Sequence, residues 1–224
     1  MDINYIKTVF EARRNPSEAQ KMKQYMRDKF EYLGIKSPVR AQLKAELLLD
    51  KQLNSLNPEE LLPLLYELWK EECREYQYLA MELLDRKIKY AKPGIVEHLE
   101  FLIVTKPWWD TVDFISSHLV GTLFRNHKEL IEELVQKWMK SENIWLQRSV
   151  LLYQLKYKKT LDEKILFDAI LQLNTSKEFF IQKAIGWALR EYGKTNPNAV
   201  VAFVDRTSLA QLSKREALRR IIVK

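Results

Sequence analysis

A tryptophan and an aspartate four residues apart, Trp109 and Asp113, are the residues of this sequence best suited to chemistry. They lie in KPWWDTVDFISSHLVGTLFRNH, residues 106–127, where apolar side chains recur at spacings of three and four. That spacing predicts a helix, on which residues four apart share a face. A buried carboxylate needs a partner and an exposed indole needs a covering group, and a bound cation would satisfy both. A core helix with a solvated or capping aspartate explains the same spacing without any chemistry.

The composition is that of an ordinary globular protein. Its 224 residues, with a mass of 26.7 kDa and 46% apolar side chains, can bury a substantial core, and we predict a single domain spanning residues 1–224. No apolar run approaches the roughly 20 residues that cross a bilayer. The N-terminal stretch carries acidic residues early and has no apolar signal core. The lone cysteine, Cys73, excludes an internal disulfide. We therefore expect a cytoplasmic protein with no membrane partner. We also expect it to be a monomer.

The chain is basic. Its 37 lysines and arginines against 30 aspartates and glutamates give a formal net charge of +7 and an isoelectric point near 9.3. Such a charge favours a polyanionic partner only if it is concentrated on one face, and a solvated surface is the alternative interpretation. The last third of the chain does concentrate positive charge, at Lys156, Lys158, Lys159, Lys183, Arg190, Lys194, Lys214, Arg215, Arg219, Arg220 and Lys224.

Polar residues and glycines predict where helices begin and end. A polar side chain that accepts from a free backbone N–H, followed by a proline that has no N–H to lose, is a common helix start. The sequence has such pairs at Asn15-Pro16, Ser37-Pro38, Asn57-Pro58 and Asn196-Pro197. Further starts are predicted at Ser141, Thr160 and Ser176, and left-handed helix ends at Gly34 and Gly193. With five glycines and no alternating apolar run, the sequence predicts no strand. We expect roughly a dozen helices of about 10 to 18 residues.

An internal repeat relates successive parts of the chain. A shift of 35 residues aligns SENIWLQRSVLLYQLKY (141–157) with SKEFFIQKAIGWALREY (176–192). The same shift gives one repeated position to Tyr78, Asp113, Arg148 and Lys183. A period of about 35 to 40 residues per helix pair is typical of HEAT-like solenoids, whose units bury their apolar faces against their neighbours. We therefore predict an all-α fold, a right-handed or curved superhelical solenoid of antiparallel helix pairs with a concave basic groove.

The predicted groove would suit duplex DNA, whose phosphates basic side chains can neutralise. The candidates for these contacts are Arg148, Lys156, Lys158 and Lys183. An acid in such a groove repels phosphates, so Asp113 must face something positive, and a purine alkylated at N3 or N7 carries a positive charge within DNA. That charge also makes the base a good leaving group. A carboxylate would stabilise the oxocarbenium-like sugar and orient a water for attack. No general acid is required, because the cationic base leaves as a neutral molecule.

The sequence resembles the HEAT-like-repeat DNA alkylpurine glycosylases of the AlkD type over nearly its full length. The strongest matches are IVTKPWWDTVD at 103–113, NIWLQR at 143–148, LKYK at 155–158 and SKEFFIQKAIGWALREYGKTNP at 176–197. The resemblance implies excision of positively charged N3- and N7-alkylated purines from duplex DNA, without metal or cofactor, in the repair of alkylation damage. It also implies that Asp113 is the catalytic aspartate and that Trp109 and Trp187 are the two tryptophans of the family's cleft.

The resemblance extends to residues that would bind DNA. Arg148, Lys156 and Lys158 match the family's backbone-binding residues. Tyr25, in KQYMRDKF, matches an aromatic residue near the N-terminal end of the cleft. Lys183, which the repeat places beside them, completes the predicted DNA-binding set. Some relatives keep the solenoid and lose the catalytic residues. Because Trp109, Asp113 and Trp187 are all present in this sequence, we expect an active enzyme.

Two other functions stay open on the sequence alone. Most solenoids are scaffolds for protein partners, and a non-catalytic binder of damaged or branched DNA would use the same basic groove. Asp113 separates the enzyme from the DNA binder, because an acid contributes nothing to phosphate binding.

We assign the remaining aromatic, histidine and cysteine residues to structure rather than to chemistry. The tryptophans expected in the core or in a purely structural role are Trp69, Trp108, Trp138 and Trp145. His118 and His127 are expected at the surface or at helix ends, and Cys73 has no predicted chemical role.

Overall fold

A computed structural model describes residues 2–219, and the regular structure of this range is helical. The β-type pairing within it is confined to an isolated bridge between Glu31 and Cys73. The all-α fold class predicted from the sequence is therefore confirmed. The described helices run from 5 to 15 residues, so the shortest are shorter than predicted. Arg220 and Lys224, two of the basic residues named above, lie outside the described residues.

The helices are numbered along the chain. The first six are α1 (Ile3–Glu11), α2 (Pro16–Tyr25), α3 (Ser37–Leu47), α4 (Lys51–Ser55), α5 (Pro58–Lys70) and α6 (Arg74–Asp85). The next five are α7 (Ile95–Val104), α8 (Trp109–Phe114), α9 (Gly121–Asn126), α10 (Ile131–Lys140) and α11 (Ile144–Leu152). The last four are α12 (Glu163–Leu173), α13 (Phe179–Gly193), α14 (Pro197–Arg206) and α15 (Gln211–Leu218). A π-helical segment, Ile115–Val120, joins α8 to α9. None of the helices within residues 2–219 combines the length and the apolar composition that a bilayer crossing requires.

The chain divides into two compact units, Met1–Ile95 and Val96–Lys224, and the single domain expected from the sequence stays a prediction. In the first unit, α6 packs against α3 and α5, and α1 packs against the same two helices. Their apolar faces form a core that includes Ile6, Phe10, Leu43, Leu65, Leu68 and Leu79. Burial of these side chains is the main force that holds short helices of this kind together.

The buried carboxylate of Glu75 ties the segment before α3 to α6. Its oxygens accept hydrogen bonds from the backbone N–H groups of Leu33, Gly34 and Ile35, at 3.0, 2.9 and 3.1 Å. Gly34 has a φ of +86°, and a Cβ there would lie 2.1 Å from the carbonyl oxygen of Asn15. Only glycine fits this position. The left-handed conformation predicted for Gly34 is confirmed, although the residue precedes α3 instead of ending a helix.

In the second unit, α8, α11, α13 and α15 form a series in which each packs against the next. The segment formed by α8 and the π-helix packs against α11, α11 packs against α13, and α13 packs against α15. Helices α10 and α12 also pack against α11, and α14 packs against α13 and α15. The neighbours thus follow the predicted repeat, as in the 2.8 Å hydrogen bond between Ser116 and Ser149, which are 33 residues apart. Each helix layer is buried against the next, which is the packing of a solenoid.

Proline-linked asparagines were reliable signals for helix starts. Asn15, Asn57 and Asn196 each accept a hydrogen bond from the backbone N–H three residues later. Asn57 also forms a reciprocal capping box with Glu60, in which each side chain bonds the other's backbone. The prediction for Ser37 is wrong by one residue, because α3 begins at Ser37 itself.

The helix starts predicted without proline are wrong, each by two residues. The observed caps of α11, α12 and α13 are Asn143, Asp162 and Glu178. Ser141 and Ser176 instead accept hydrogen bonds from the backbone N–H groups of those caps, Asn143 and Glu178, in the turns that lead into the helices. Thr160 ends a short 3-10 turn. Gly193 is also mispredicted, since it is the last helical residue of α13.

Candidate active site

The centre of the site is an ion pair between two neighbouring helices of the second unit. Asp113, on α8, accepts two hydrogen bonds from Arg148, on α11: Nε lies 2.7 Å from Oδ1 and Nη2 lies 2.8 Å from Oδ2. The third nitrogen of the guanidinium, Nη1, donates to the carbonyl oxygen of Phe180. Only 15% of the Asp113 side chain and 5% of the Arg148 side chain are exposed. This two-point geometry fixes both the position and the orientation of the carboxylate.

Two opposing influences act on the acidity of Asp113. Burial raises its pKa above the ordinary value, because a carboxylate loses hydration in the protein interior. Hydrogen bonds and positive charge from Arg148 act in the opposite direction and favour the ionised form. The guanidinium therefore offsets the cost of placing a negative charge in this buried position.

A π-helix begins two residues after Asp113, at Ile115, and changes which later side chains lie on the same face as Asp113. In the segment Ile115–Val120 the turns are wider than in an α-helix. Ser117 donates a hydrogen bond of 2.7 Å to the carbonyl oxygen of Asp113. The ring of His118 stacks on Phe114, with centroids 4.1 Å apart and an angle of 11° between the planes. The wider turn brings His118 to the same side of the chain as Asp113.

An open pocket of about 380 Å³ lies against the carboxylate. Its lining residues are Asp113, Phe114, Ser117, His118, Leu155, Lys156, Trp187 and Glu191. The structure therefore brings together three of the predicted site residues, Asp113, Trp187 and Lys156. Sequence reasoning missed Phe114, Glu191 and His118, and the surface role expected for His118 does not account for its place in this lining.

Lys156 is held at the pocket by its side chain and by its backbone. Its Nζ lies 2.6 Å from Nε2 of His118 and 3.1 Å from Nδ1 of the same ring. Its carbonyl oxygen accepts a hydrogen bond of 2.5 Å from Nη2 of Arg125. The guanidinium of Arg125 also stacks over the ring of Tyr157, at 4.3 Å. Lys156 is exposed to solvent, and both its ammonium group and its carbonyl oxygen contact neighbouring side chains.

The other predicted site residues lie outside the pocket lining. Trp109 is the half-exposed first residue of α8, one turn before Asp113. Lys158 is exposed and has a left-handed φ of 52°. The Nζ of Lys183 lies 3.0 Å from Oε1 of Glu216. Tyr25 ends α2 in the first unit, with 72% of its surface exposed.

A cluster of three aromatic rings packs together the helices that carry Asp113 and Arg148. Trp108 packs against both Trp145 and Phe180, with ring centroids 5.9 and 4.9 Å away. Trp145 and Phe180 are themselves 5.0 Å apart. Core positions are confirmed for Trp69, Trp138 and Trp145, which are 1%, 0% and 8% exposed. The cluster fixes α11 and α13 beside α8, which is what positions Arg148.

The described part of the chain lacks a group of side chains that could together bind a metal ion. No group of three histidine, cysteine, aspartate or glutamate side chains within residues 2–219 could hold a metal ion. The pocket instead offers one carboxylate held by a guanidinium, a second carboxylate on Glu191, aromatic surfaces and one ammonium group. Such a lining can bind a planar cation and stabilise positive charge that develops on a substrate.

Comparisons with known proteins agree with this description. The family model described as "DNA alkylation repair enzyme" matches residues 6–221. A solved structure described as a predicted DNA alkylation repair enzyme from Enterococcus faecalis is 32% identical in sequence and has a TM-score of 0.87. The similarity covers 94% of this chain and 98% of that chain. No curated protein matches the chain.

Proposed function

This chain belongs to the family of DNA alkylation repair enzymes, and from that premise we propose that it is a DNA glycosylase. Its substrates are duplex DNA sites that carry a cationic purine alkylated at N3 or N7. The observation that carries the proposal is the buried carboxylate of Asp113, fixed at two points by Arg148 and facing a pocket lined by Trp187 and Lys156. The family membership supports a role in alkylation repair, and the pocket supports the particular reaction.

The proposed reaction is hydrolysis of the N-glycosidic bond. The bond between C1′ of the sugar and the purine nitrogen breaks, and its electron pair leaves with the base and neutralises the positive ring. The sugar becomes oxocarbenium-like, and the negative charge of Asp113 stabilises it. A water adds its oxygen to C1′ and releases a proton, which leaves an abasic sugar and a neutral alkylated purine. The reaction requires no cofactor.

Arg148 prepares the carboxylate for this task. A carboxylate has about four lone-pair sites, and the guanidinium uses one on each oxygen, so each oxygen of Asp113 can still accept from a water or face the sugar. A fixed charge needs no reorganisation as the transition state forms. We propose that Arg148, with so little of its side chain exposed, acts mainly by positioning Asp113 and not as an open phosphate contact.

The remaining predicted residues would bind the substrate. Trp187, in the pocket lining, and Trp109, one turn before Asp113, supply aromatic surfaces that favour a cationic base. The proposed contacts to DNA are made by Lys156, Lys158, Lys183 and Tyr25. For Lys183 a phosphate would have to compete with Glu216, because the two side chains form an ion pair. The Nζ of Lys156 lies 2.6 Å from Nε2 of His118 in the pocket lining.

A non-catalytic binder of damaged DNA is the competing function, and one observation favours it. Asp113 already has a partner in Arg148, so the acid would be accommodated even in a protein with no chemistry to perform. The two functions differ in whether the carboxylate is needed for base release. They are therefore separated by an experiment that measures release and binding together.

The test is release of purines from duplex DNA treated with a methylating agent, with the products identified by mass spectrometry. Asp113→Asn is compared with the wild type and with Asp168→Asn, a matched control whose side chain is 50% exposed and pairs with Lys164 on α12. We expect methylated adenine or guanine from the wild type and the control but not from Asp113→Asn. Binding of Asp113→Asn to duplex DNA should be unchanged or tighter, because a repulsive charge is removed. If all three proteins bind DNA and none releases a base, the protein is a DNA-binding module.

A further inference from the structure

Glu191 is a second carboxylate at the pocket, and the proposed reaction does not use it. It lines the same cavity as Asp113 and Trp187. We propose that Glu191 is a specificity-determining residue: its negative charge makes the pocket prefer a cationic nucleotide over a neutral nucleotide of the same shape. This inference rests on the proposed function in taking alkylated DNA as the ligand, and it assigns the selection of charge to a residue outside the reaction itself.

Glu191 reaches the pocket from α13. It lies four residues after Trp187 on that helix, so the two side chains share a face. Trp109 and Asp113 have the same relation on α8. Each helix thus carries an indole followed by an acid about one turn later, and the two acids line one cavity from different helices. An aromatic face and a nearby carboxylate together attract a planar cation.

The position of Glu191 in its helix does not favour an acid. The residue lies in the last turn of α13, which ends at Gly193, and the unpaired carbonyl groups at a helix C-terminus repel negative charge. Lys194 offsets part of this repulsion, since its Nζ lies 2.6 Å from Oε2 of Glu191. A cation at this position would suit the helix better. Helix stability alone therefore does not explain the carboxylate.

The carboxylate of Glu191 is accessible to a ligand. Its side chain is 31% exposed, and that of Lys194 is 65% exposed. An ion pair with this much exposure is weak, because water and salt screen it. Within residues 2–219, the hydrogen bonds and ion pairs of the carboxylate involve Oε2 and leave Oε1 open. A bound cation can therefore approach Oε1 while Lys194 stays at Oε2.

The balance of charge at the pocket depends on Glu191, because the other acid is already compensated. Arg148 donates to both oxygens of Asp113, so that pair has no net charge. Lys156 also lines the pocket, and its positive charge repels a cation. These three residues together have an excess of one positive charge, which Glu191 cancels. A cationic nucleotide is therefore tolerated at the pocket, and replacing Glu191 should disfavour it.

Two duplexes that differ only in the charge of one base test this inference. One contains 7-methylguanine, which is cationic, and the other contains 7-deaza-7-methylguanine, in which carbon replaces N7 and the ring is neutral. Both nucleotides carry a 2′-fluoro sugar, whose electron-withdrawing fluorine opposes the oxocarbenium-like state and prevents base release during binding. The preference is defined as the affinity for the cationic duplex divided by the affinity for the neutral duplex.

The variants change the charge of Glu191 and of a matched control. Glu191→Gln removes the negative charge, and Glu191→Lys reverses it. The control is Glu11, which also lies in the last turn of its helix, α1, and is also bonded by the cation three residues later, Arg14. Glu11 belongs to the first unit and is changed to Gln and to Lys in the same way. A general effect of protein charge on DNA affinity cancels in the preference, because it acts on both duplexes alike.

We expect the wild type to prefer the cationic duplex, Glu191→Gln to reduce that preference by about 1.5- to fivefold, and Glu191→Lys to reduce it further. Glu11→Gln and Glu11→Lys should keep the wild-type preference. Glu191→Lys places a cation at a helix C-terminus, where it favours the folded helix, so it gives the answer if Glu191→Gln does not fold. The inference is overturned if the wild type has no preference, if neither Glu191 variant lowers it, or if the Glu11 variants lower it equally.

The binding result is independent of catalysis, because neither duplex releases its base. Release is measured separately, from 7-methylguanine on an ordinary deoxyribose. If the preference depends on Glu191 and the wild type releases no base, the glycosylase proposal fails and the role of Glu191 stands. If the wild type releases the base and the Glu191 variants keep its preference, the glycosylase proposal stands and the role of Glu191 is wrong.

Discussion

Two carboxylates of the second unit are paired with neighbouring helices in similar ways. Asp113 on α8 receives Arg148 from α11, and Glu216 on α15 receives Lys183 from α13. The two cations are 35 residues apart and occupy the same position of the sequence repeat. Glu216 has a second partner, Arg190, at 2.8 Å. Each pair joins one helix of the stack to the next.

The surroundings of the two pairs differ. A pocket of about 380 Å³ lies against Asp113. At Glu216, by contrast, α13 and α15 are so close that a Cβ added to Gly186 would lie 2.5 Å from the Cβ of Glu216. Burial raises the pKa of Asp113, whereas the hydrogen bond from Lys183 lowers the pKa of Glu216. An ion pair between neighbouring helices thus joins them closely at Glu216, whereas the pair at Asp113 lies beside an open pocket and forms a candidate site.

The largest expected effect on stability comes from removing one cation at a time. Arg148→Met leaves the Asp113 charge buried without its partner, which should lower the free energy of unfolding by about 3–5 kcal/mol. Lys183→Met should cost less than about 1 kcal/mol, because the lysine side chain is 37% exposed and Glu216 keeps Arg190. Urea denaturation of both variants measures the difference. Equal losses of unfolding free energy would contradict the view that the Asp113–Arg148 pair is the more deeply buried of the two.

A smaller effect is expected when the acid is neutralised as well. Adding Asp113→Asn to Arg148→Met removes the unpaired charge and should restore about 1–3 kcal/mol of the lost stability. Adding Glu216→Gln to Lys183→Met should restore little, because Glu216 is still paired in the single variant. Together with the wild type and the single variants Asp113→Asn and Glu216→Gln, the unfolding free energies in each set form a double-mutant cycle. If neutralising Asp113 restores nothing, the burial of its charge is not what Arg148 offsets.

The smallest expected effects are on the pH dependence of stability, and they have opposite signs. Glu216 has a lowered folded-state pKa, so its contribution is present above its ordinary value of 4.5 and is lost as the pH falls through the lowered pKa. Asp113 has a raised folded-state pKa, so the folded state binds its proton more tightly, and unfolding free energy rises as the pH falls towards the ordinary value of 3.8. Urea titrations at several acidic pH values should show Glu216→Gln reducing the acid loss and Asp113→Asn deepening it. Changes of the same sign in both variants would contradict this account.

Local signals in the sequence predicted the fold well where one residue decides the geometry. An asparagine before a proline fixes a helix start, as at Asn15, Asn57 and Asn196, because the side chain and the fixed proline φ act together. Serine without proline was ambiguous, because its hydroxyl can bond the backbone two residues on, as Ser141 and Ser176 do. The placement of such a turn depends on how the helices pack, which single residues do not encode.

The candidate site was predicted in part for a related reason. The repeat placed Asp113 and Arg148 at equivalent positions, and the structure pairs them. The repeat could not show that Arg148 points at the acid and not at solvent. Assumed α-helical spacing also hid His118, since the π-helix shifts every later residue around the axis. A histidine five residues after the aspartate would have been recognised as a neighbour only with that interruption known.

The most direct test of the comparison is the rate of base release under single-turnover conditions, with protein in saturating excess over methylated duplex DNA. Saturation removes differences in binding, including any caused by freeing Lys183 from Glu216. We predict that Asp113→Asn lowers the rate by at least about 10²–10³-fold and that Glu216→Gln stays within about threefold of the wild type. If the two substitutions slow base release equally, or if Asp113→Asn keeps the wild-type rate, the assignment of chemistry to Asp113 is contradicted.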